Sequence, residues 1–207
     1  MIQSLYSSSS ALLAYSRAQD ATAHNIANVS TPAFQSFSST FSEIANQGGV
    51  KLNTVRTDYG TGYLIPTGNQ LDFSINGNGY FKVTDAQGNE SLTRRGDFSV
   101  DADGNLVTRD GGIVAAGVAD GGRLEIAYNG EIYSDGAYRG RIEVVDRNGE
   151  PMPEGSFTVE QGILEASDTN MTKEIVDSMV YLNSYKANIV TTQTADQMLG
   201  TIIDMMA

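Results

Sequence analysis

Apolar positions recur along this chain at two different periods, helical at both ends and alternating in the middle. At the start, Ile2, Leu5, Leu12, Ala23 and Ile26 fall on one stripe at heptad spacing, with Ser9, Ser16 and Gln19 at its other seam positions. The pattern predicts a helix from Gln3 to Asn28 that is marginal alone and needs partners to stay ordered. Thr31-Pro32 closes it, because proline disfavours helical geometry in the residue before it. At the far end, Ile175, Leu182, Ile189 and Ile203 lie seven or fourteen apart, interrupted by Asp196, and Tyr185, Thr192, Leu199 and Met206 form a companion seam. Asp168, Thr169 and Asn170 are candidate N-caps for this second helix, and Glu174 suits the positive end of its dipole.

From Leu71 the period changes to two. LDFSI, GYFKVT, ESLTRR, DFSV, NLVT, GIVAAGV, RLEIAY, EIYS and RIEVVD read as short strands, separated by turns rich in Asn-Gly and Asp-Gly. The spacing predicts antiparallel strands ending near Phe157–Glu160, in a barrel or sandwich, rather than strands joined by crossover helices. The expected class is therefore α+β: terminal helices pairing as a coiled coil, with a central antiparallel β-barrel or sandwich-like domain. The expected divisions are a first helix over 1–31, an extension over 32–70, a β domain over 71–162 and a final helical segment over 163–207. Within the extension, Phe34, Phe37 and Phe41 suggest a short amphipathic turn over the core, or alternatively a segment that lies on a neighbouring subunit. Asn46-Gln-Gly-Gly and Tyr59-Gly-Thr-Gly are loop signals.

Composition narrows the function. With 207 residues, one modest core plus an extension is the natural size. The 25 acidic against 13 basic residues give a net charge of −12, which argues against nucleic acid and anionic membrane surfaces as partners. The chain has no cysteine, which removes disulfides, thiolate metal sites and cysteine nucleophiles. No run approaches the length of a membrane span, so direct membrane insertion is not expected. The start lacks a basic region, and Ser7–Ser10 interrupts any apolar run, so no cleaved signal peptide is expected.

Candidate chemistry is sparse. His24 is the one histidine and has no nucleophile placed at a recognisable elbow, so it reads as a polar helix contact. A zinc site would have to rest on carboxylates. Asp101-Ala-Asp-Gly-Asn has its glycine at the fourth place of a calcium-type loop and Gly112 at the twelfth, so it reads as a hairpin turn. Gly77-Asn-Gly-Tyr-Phe-Lys lacks the third glycine of a dinucleotide loop and lies between strands. Asn28-Val-Ser and Asn170-Met-Thr match the short glycosylation pattern. Arg94-Arg95 suits ion pairs on a strand face better than a phosphate site. No catalytic, cofactor-binding or metal-binding residues are expected.

Asn25 to Phe34, NIANVSTPAF, resembles the N-terminal signature of flagellar basal-body rod and hook proteins, an Asn-x-x-Asn-x-x-Thr-x-Gly-aromatic pattern. Asn25, Asn28, Thr31 and Phe34 match it, Ala33 stands where glycine is expected, and Gln35-Ser36 replaces the usual basic residue. Leu71 to Val83 resembles the first strand of that family's β domain, Thr93 to Gly112 its next hairpin, and Leu164 to Leu199 its C-terminal helix, with Ser167, Asn170 and the tetrad Gln193–Asp196. The Leu71–Val83 match favours the distal or proximal rod proteins over the hook protein.

The resemblance implies a structural subunit of the flagellar rod. It implies export through the flagellar type III apparatus without a cleaved signal peptide, and assembly in the periplasm with copies of itself and with other rod and hook proteins. It also implies terminal helices forming an inner tube around the export channel, with the β domain outside. On that footing the subunit-interface residues are expected to be Leu5, Leu12, Asn25, Ile26, Asn28, Ile175, Leu182, Tyr185, Ile189, Gln193, Asp196, Leu199 and Ile203. Leu182, Ile189 and Leu199 would face the paired first helix, while Asn25, Asn28, Gln193 and Asp196 would hold its register. The alternative is a monomeric β-domain binding module or export adaptor with an intramolecular helical hairpin, ordered without assembly.

Overall fold

The computed structural model describes residues 2–44, 48–118 and 124–206, with the side chain of Ile2 left aside. The loop signal at Asn46-Gln47 and the turn at Ala119–Gly122 lie outside the described residues. The chain divides into two compact units. One comprises Met1–Val29, Gln35–Gly60 and Thr169–Ala207, and the other Ser30–Phe34 and Thr61–Asp168. The segment expected as one extension over 32–70 is thus shared between them.

The first unit is helical with a β-hairpin. Helix α1 spans Ile2–Ala27, helix α2 spans Met171–Met206, and strands β1 (Phe37–Glu43) and β2 (Val50–Thr57) pair antiparallel. The hairpin replaces the amphipathic turn expected around Phe37 and Phe41. Their spacing of four places both rings on one face of a strand, where a helical reading also puts them on one side. The Phe41 ring stands 5.4 Å from Tyr15 of α1 and 5.6 Å from Tyr181 of α2, so three elements share one aromatic cluster. Gly49, at φ +109°, lies against Ser7 and Ser10, and a side chain there would collide with the Ser10 hydroxyl. Asn170 caps α2, its Oδ1 accepting the Lys173 N–H at 3.0 Å. No described helix is long and apolar enough to cross a membrane.

The second unit is all β. Its strands are β3 (Leu64–Pro66), β4 (Phe73–Asn76), β5 (Tyr80–Thr84), β6 (Glu90–Thr93), β7 (Ser99–Val100), β8 (Leu106–Val107), β9 (Ile113–Ala115), β10 (Leu124–Ile126), β11 (Glu131–Ser134), β12 (Ala137–Arg141), β13 (Val144–Val145), β14 (Thr158–Gln161) and β15 (Ile163–Glu165). The pairing is antiparallel throughout, as alternation and hairpin turns predict. The strands form a six-stranded sheet ordered β13-β5-β9-β8-β7 with β6 on β5, a three-stranded sheet β10-β11-β12, and the pairs β14-β4 and β15-β3. Among the described residues no sheet closes on itself, so the barrel alternative does not hold. Strands of two to five residues with a bulge at Leu106/Val107 are too short and irregular to wrap a full circumference.

Phe73, Ile75, Phe81, Phe98, Leu106, Ile132, Ile142 and Val159 are among the side chains that form one buried core. The Phe98 ring lies 5.8 Å from Phe73 and meets Phe81 edge-on at 5.1 Å, geometries that favour aromatic pairs. Three hairpins use one turn chemistry. Oδ1 of Asp85, Asp101 and Asp146 each accepts the backbone N–H groups two and four residues on, at 2.8 to 3.0 Å. The glycines Gly88, Gly104 and Gly149 take left-handed φ of +79° to +85°. This is the structural content of the calcium-like string at Asp101.

One charged group is built into this unit. Arg94 and Glu165 side chains are 4% and 3% exposed, with Nε 2.6 Å from Oε2. Arg94 also donates to the carbonyls of Gly79 (2.8 Å) and Ile75 (3.1 Å), and Glu165 Oε1 accepts from the Gly62 N–H at 3.0 Å. Arg95 pairs instead with Asp97 at 2.7 Å. Both arginines make ion contacts, but not on a strand face: both follow the end of β6, and Arg94 makes its pair in the interior.

Candidate assembly surface

The helical unit has an inward seam and an outward stripe, and their compositions are the reverse of an ordinary amphipathic pair. On α1 the buried positions are Ser8, Ala11, Ala14, Ala18, Thr22 and Asn25, at steps of three and four. On α2 the inward positions are Glu174, Ser178, Tyr181, Tyr185, Asn188, Thr192, Ala195 and Leu199, at strictly alternating steps of four and three. The seam is made of small and polar side chains. Gln19 Nε2 donates to Ser178 Oγ across it at 2.7 Å, and Tyr15 lies 6.3 Å from Tyr181. Burial, followed by the nearby carboxylates of Asp177 and Glu174, pushes the Tyr181 phenol above its ordinary pKa.

The large aliphatic residues face away. Ile175, Leu182 and Ile203 are 38%, 45% and 65% exposed, and Met179, Val190 and Met198 lie open beside them. The seam expected at Ile175, Leu182, Ile189 and Ile203 is therefore one residue ahead of the inward row Glu174, Tyr181, Asn188 and Ala195, a rotation of about 100° on a helix. Leu182 does not face α1, whereas Ile189 and Leu199 are half-buried. The buried side chains of α1 are small, Ala11, Ala14 and Ala18 among them, and they meet the small and polar row of α2 rather than its branched aliphatics. Of the companion seam, Tyr185, Thr192 and Leu199 face inward, whereas Met206 is 83% exposed.

The polar candidates separate in the same way. Asn25 is fully buried, and its amide exchanges two hydrogen bonds with the Phe37 backbone instead of setting helix register. Asn28 Nδ2 donates to the His24 carbonyl at 2.9 Å, closing α1. Gln193 and Asp196 are exposed on α2. Leu5, Leu12 and Ile26 are half-buried on α1, while Tyr6 and Leu13, seven apart, stand open on it. A notch of about 430 Å³ lies between Ser4 and the α2 residues Val190, Thr191, Thr194, Ala195 and Met198. The signal for the true inward face was the row of Ser and Ala in α1, a pattern of small residues that an apolar count passes over. Among the described residues there is no group of three or more His, Asp or Glu side chains placed to hold a metal ion.

Three family descriptions match the chain in order. "Flagella basal body rod protein" covers residues 5–35, "Flagellar hook protein FlgE/F/G D1 domain" covers 74–168, and "Flagellar basal body rod FlgEFG protein C-terminal" covers 160–205. The first and last fall on α1 and α2, and the second on the β unit. The chain belongs to the flagellar basal-body rod and hook protein family. Its relatives include the flagellar basal-body rod protein FlgG of Bacillus subtilis, 24% identical over 99% of each chain. The FlgG of Agrobacterium fabrum is 27% identical over 87% of this chain and 90% of its own. The flagellar hook protein FlgE of Escherichia coli is 34% identical, but over 44% of this chain and 24% of its own. The rod relatives thus match end to end, and the hook relative only in part. The Bacillus alignment runs over 266 positions, more than this chain's 207 residues, so that relative carries segments this chain lacks.

Ala33, where the family resemblance leads one to expect glycine, has φ +51°. The backbone there keeps the left-handed conformation that glycine adopts without cost. Its N–H donates to the Glu165 carbonyl at 2.8 Å, and the Asp168 N–H donates to Phe34 at 3.1 Å, so the signature residues after α1 are tied to the strand that leads into α2.

Proposed function

We propose that the chain is a structural subunit of the bacterial flagellar basal-body rod, polymerising with copies of itself and with other rod and hook proteins. The observation that carries this is the outward apolar stripe of α2, left open by a subunit whose own helix pair is closed by small and polar residues. A stripe of that length in water marks an association surface. The end-to-end similarity to rod proteins supplies the partner class.

A head-to-tail contact that does not close generates a helical filament, and each added copy covers apolar surface on the last. The chain acts by mechanical continuity rather than by catalysis. Export by the flagellar type III route and a periplasmic location along the shaft belong to the same proposal, as does a helical inner tube around a channel.

The test is mass spectrometry of purified hook–basal bodies, with motility scored after removal of the chain. Several copies per particle and non-motile cells lacking a shaft are expected. Intact motile flagella without the chain, and particles devoid of it, would overturn the reading.

A further inference from the structure

Asparagine is followed by glycine at Asn76, Asn78, Asn129 and Asn148. Such a step is open to attack on the asparagine side-chain amide by the next backbone nitrogen, because glycine has no side chain to block the approach and turns freely. Hydrogen bonds to either group oppose the reaction, since they must open before the two can meet.

Two of the four steps are held in this way. In the turn after β10, the Gly130 N–H donates to the Ala127 carbonyl at 2.8 Å, and Asn129 Oδ1 accepts the Glu131 N–H at 3.2 Å. In the turn after β13, the Gly149 N–H donates to the Asp146 carbonyl at 3.1 Å, and Asn148 Nδ2 donates to Asp146 Oδ2 at 3.2 Å. A third step, Asn78-Gly79, is confined by packing. Gly79 is buried against Val144 and Met152, and its carbonyl accepts from Arg94 at 2.8 Å.

The step at Asn76 has neither restraint. It opens the connection between β4 and β5, and the Asn76 side chain is exposed. Among the described residues, neither that side chain nor the Gly77 N–H makes a hydrogen bond. Gly77 takes φ +129°, a conformation that side-chain-bearing residues rarely adopt.

We propose that Asn76 is a site of spontaneous deamidation. Hydroxide removes the Gly77 amide proton, and the nitrogen attacks Cγ of Asn76. A C–N bond forms as the Cγ–Nδ2 bond breaks, and ammonia leaves with a proton from water. A second water then opens the cyclic imide at one of its two carbonyls, leaving aspartate or isoaspartate. The isoaspartate form carries the main chain through the side-chain carbon, so it lengthens the path between Ile75 and Gly79. Arg94 donates to both of those carbonyls, and Asn76 shares a cavity of about 430 Å³ with Arg94 and Glu165. Conversion at Asn76 therefore loosens the hold of the buried pair on this connection. The site belongs to the chain itself, whatever the chain assembles into.

The test uses the purified full chain, held in warm, mildly alkaline buffer and sampled by mass-spectrometric peptide mapping that tells aspartate from isoaspartate. Acid should accumulate at Asn76 about tenfold faster than at Asn129 or Asn148, and faster than at Asn78. In urea the four steps should converge, because the turns are open. In a second measurement, the unfolding midpoint of the folded sample should fall as Asn76 converts, and the Asn76→Gln variant should keep its midpoint over the same time. Similar rates at the four steps in the folded chain, or an Asn76 that stays intact while Asn129 or Asn148 converts, would overturn the site. The same ranking in urea would overturn its structural cause, and a midpoint indifferent to conversion would overturn its link to Arg94.

Discussion

The side-chain amide of Asn25 pairs with the backbone of Phe37 as a neighbouring strand would. Nδ2 donates to the Phe37 carbonyl at 2.7 Å, and Oδ1 accepts the Phe37 N–H at 2.8 Å. Asn25 thereby ties the end of α1 to the first residue of the hairpin, which in turn sets Phe41 between Tyr15 and Tyr181. Asn25→Ala leaves both Phe37 groups without partners, at a cost of about 2–4 kcal/mol. Urea unfolding followed by helical circular dichroism should show that loss, together with faster hydrogen exchange at the Phe37 amide. Asn25→Asp keeps only the acceptor and should fall between the two.

The two faces of α2 should respond differently to substitution. Leu182→Asp alters an exposed position, so folding stability should change by no more than about 0.5 kcal/mol. Incorporation into rods should be lost, because the charge lies on the outward stripe. Ser178→Leu enlarges the inward seam beside Gln19 and removes the hydrogen bond across it, and should cost about 1–3 kcal/mol in the isolated subunit. Thermal unfolding of purified protein beside immunoblots of basal bodies distinguishes the two outcomes.

Breaking the buried Arg94–Glu165 pair leaves an uncompensated charge in the β unit. Arg94→Met should destabilise by about 3–5 kcal/mol, and adding Glu165→Leu should recover much of that. A double-mutant cycle in urea measures the coupling.

Ala33→Gly relaxes the left-handed residue. The strain released is about 1–2 kcal/mol, offset in part by the greater freedom of glycine in the unfolded chain. The expected net gain of about 0.5–1 kcal/mol should appear as a higher unfolding midpoint.

The three aspartate turns make the β unit sensitive to acid. Hydrogen bonds from the Asn89 and Asn105 side chains, and from turn amides, hold Asp85 and Asp101 below the ordinary carboxylate pKa, and the Glu150 and Asn148 amides chiefly do so for Asp146. A folded pKa below the unfolded value gives stability that is present above the unfolded pKa and is lost as pH falls through the folded one. Acid titration monitored by near-ultraviolet circular dichroism should show this loss starting near pH 4. Asp101→Asn should flatten its share.

Much of this architecture is legible in the residues, and the errors have identifiable physical causes. Alternation and Asn-Gly or Asp-Gly turns mark the antiparallel strands because each signal is local. Asp-x-x-Gly is legible as a turn for the same reason. The rotation of α2 was misread because Ile175, Leu182 and Ile189 are apolar, and apolar residues usually face the nearest partner within the chain. Here the nearest partner, α1, presents alanine and serine, and the aliphatic row faces outward. The role of Asn25 depends on Phe37, which a helical reading of Phe34, Phe37 and Phe41 hides. The Arg94–Glu165 pair joins residues 71 positions apart, a separation at which sequence pattern carries no geometric information.

The most direct test of the rod account is gold labelling of isolated hook–basal bodies from cells whose only copy of the chain carries a short peptide tag after Asn148, in an exposed turn. The account predicts gold along the shaft in motile cells. Intact shafts without gold, with the tagged chain recovered wholly as a soluble monomer, would contradict it.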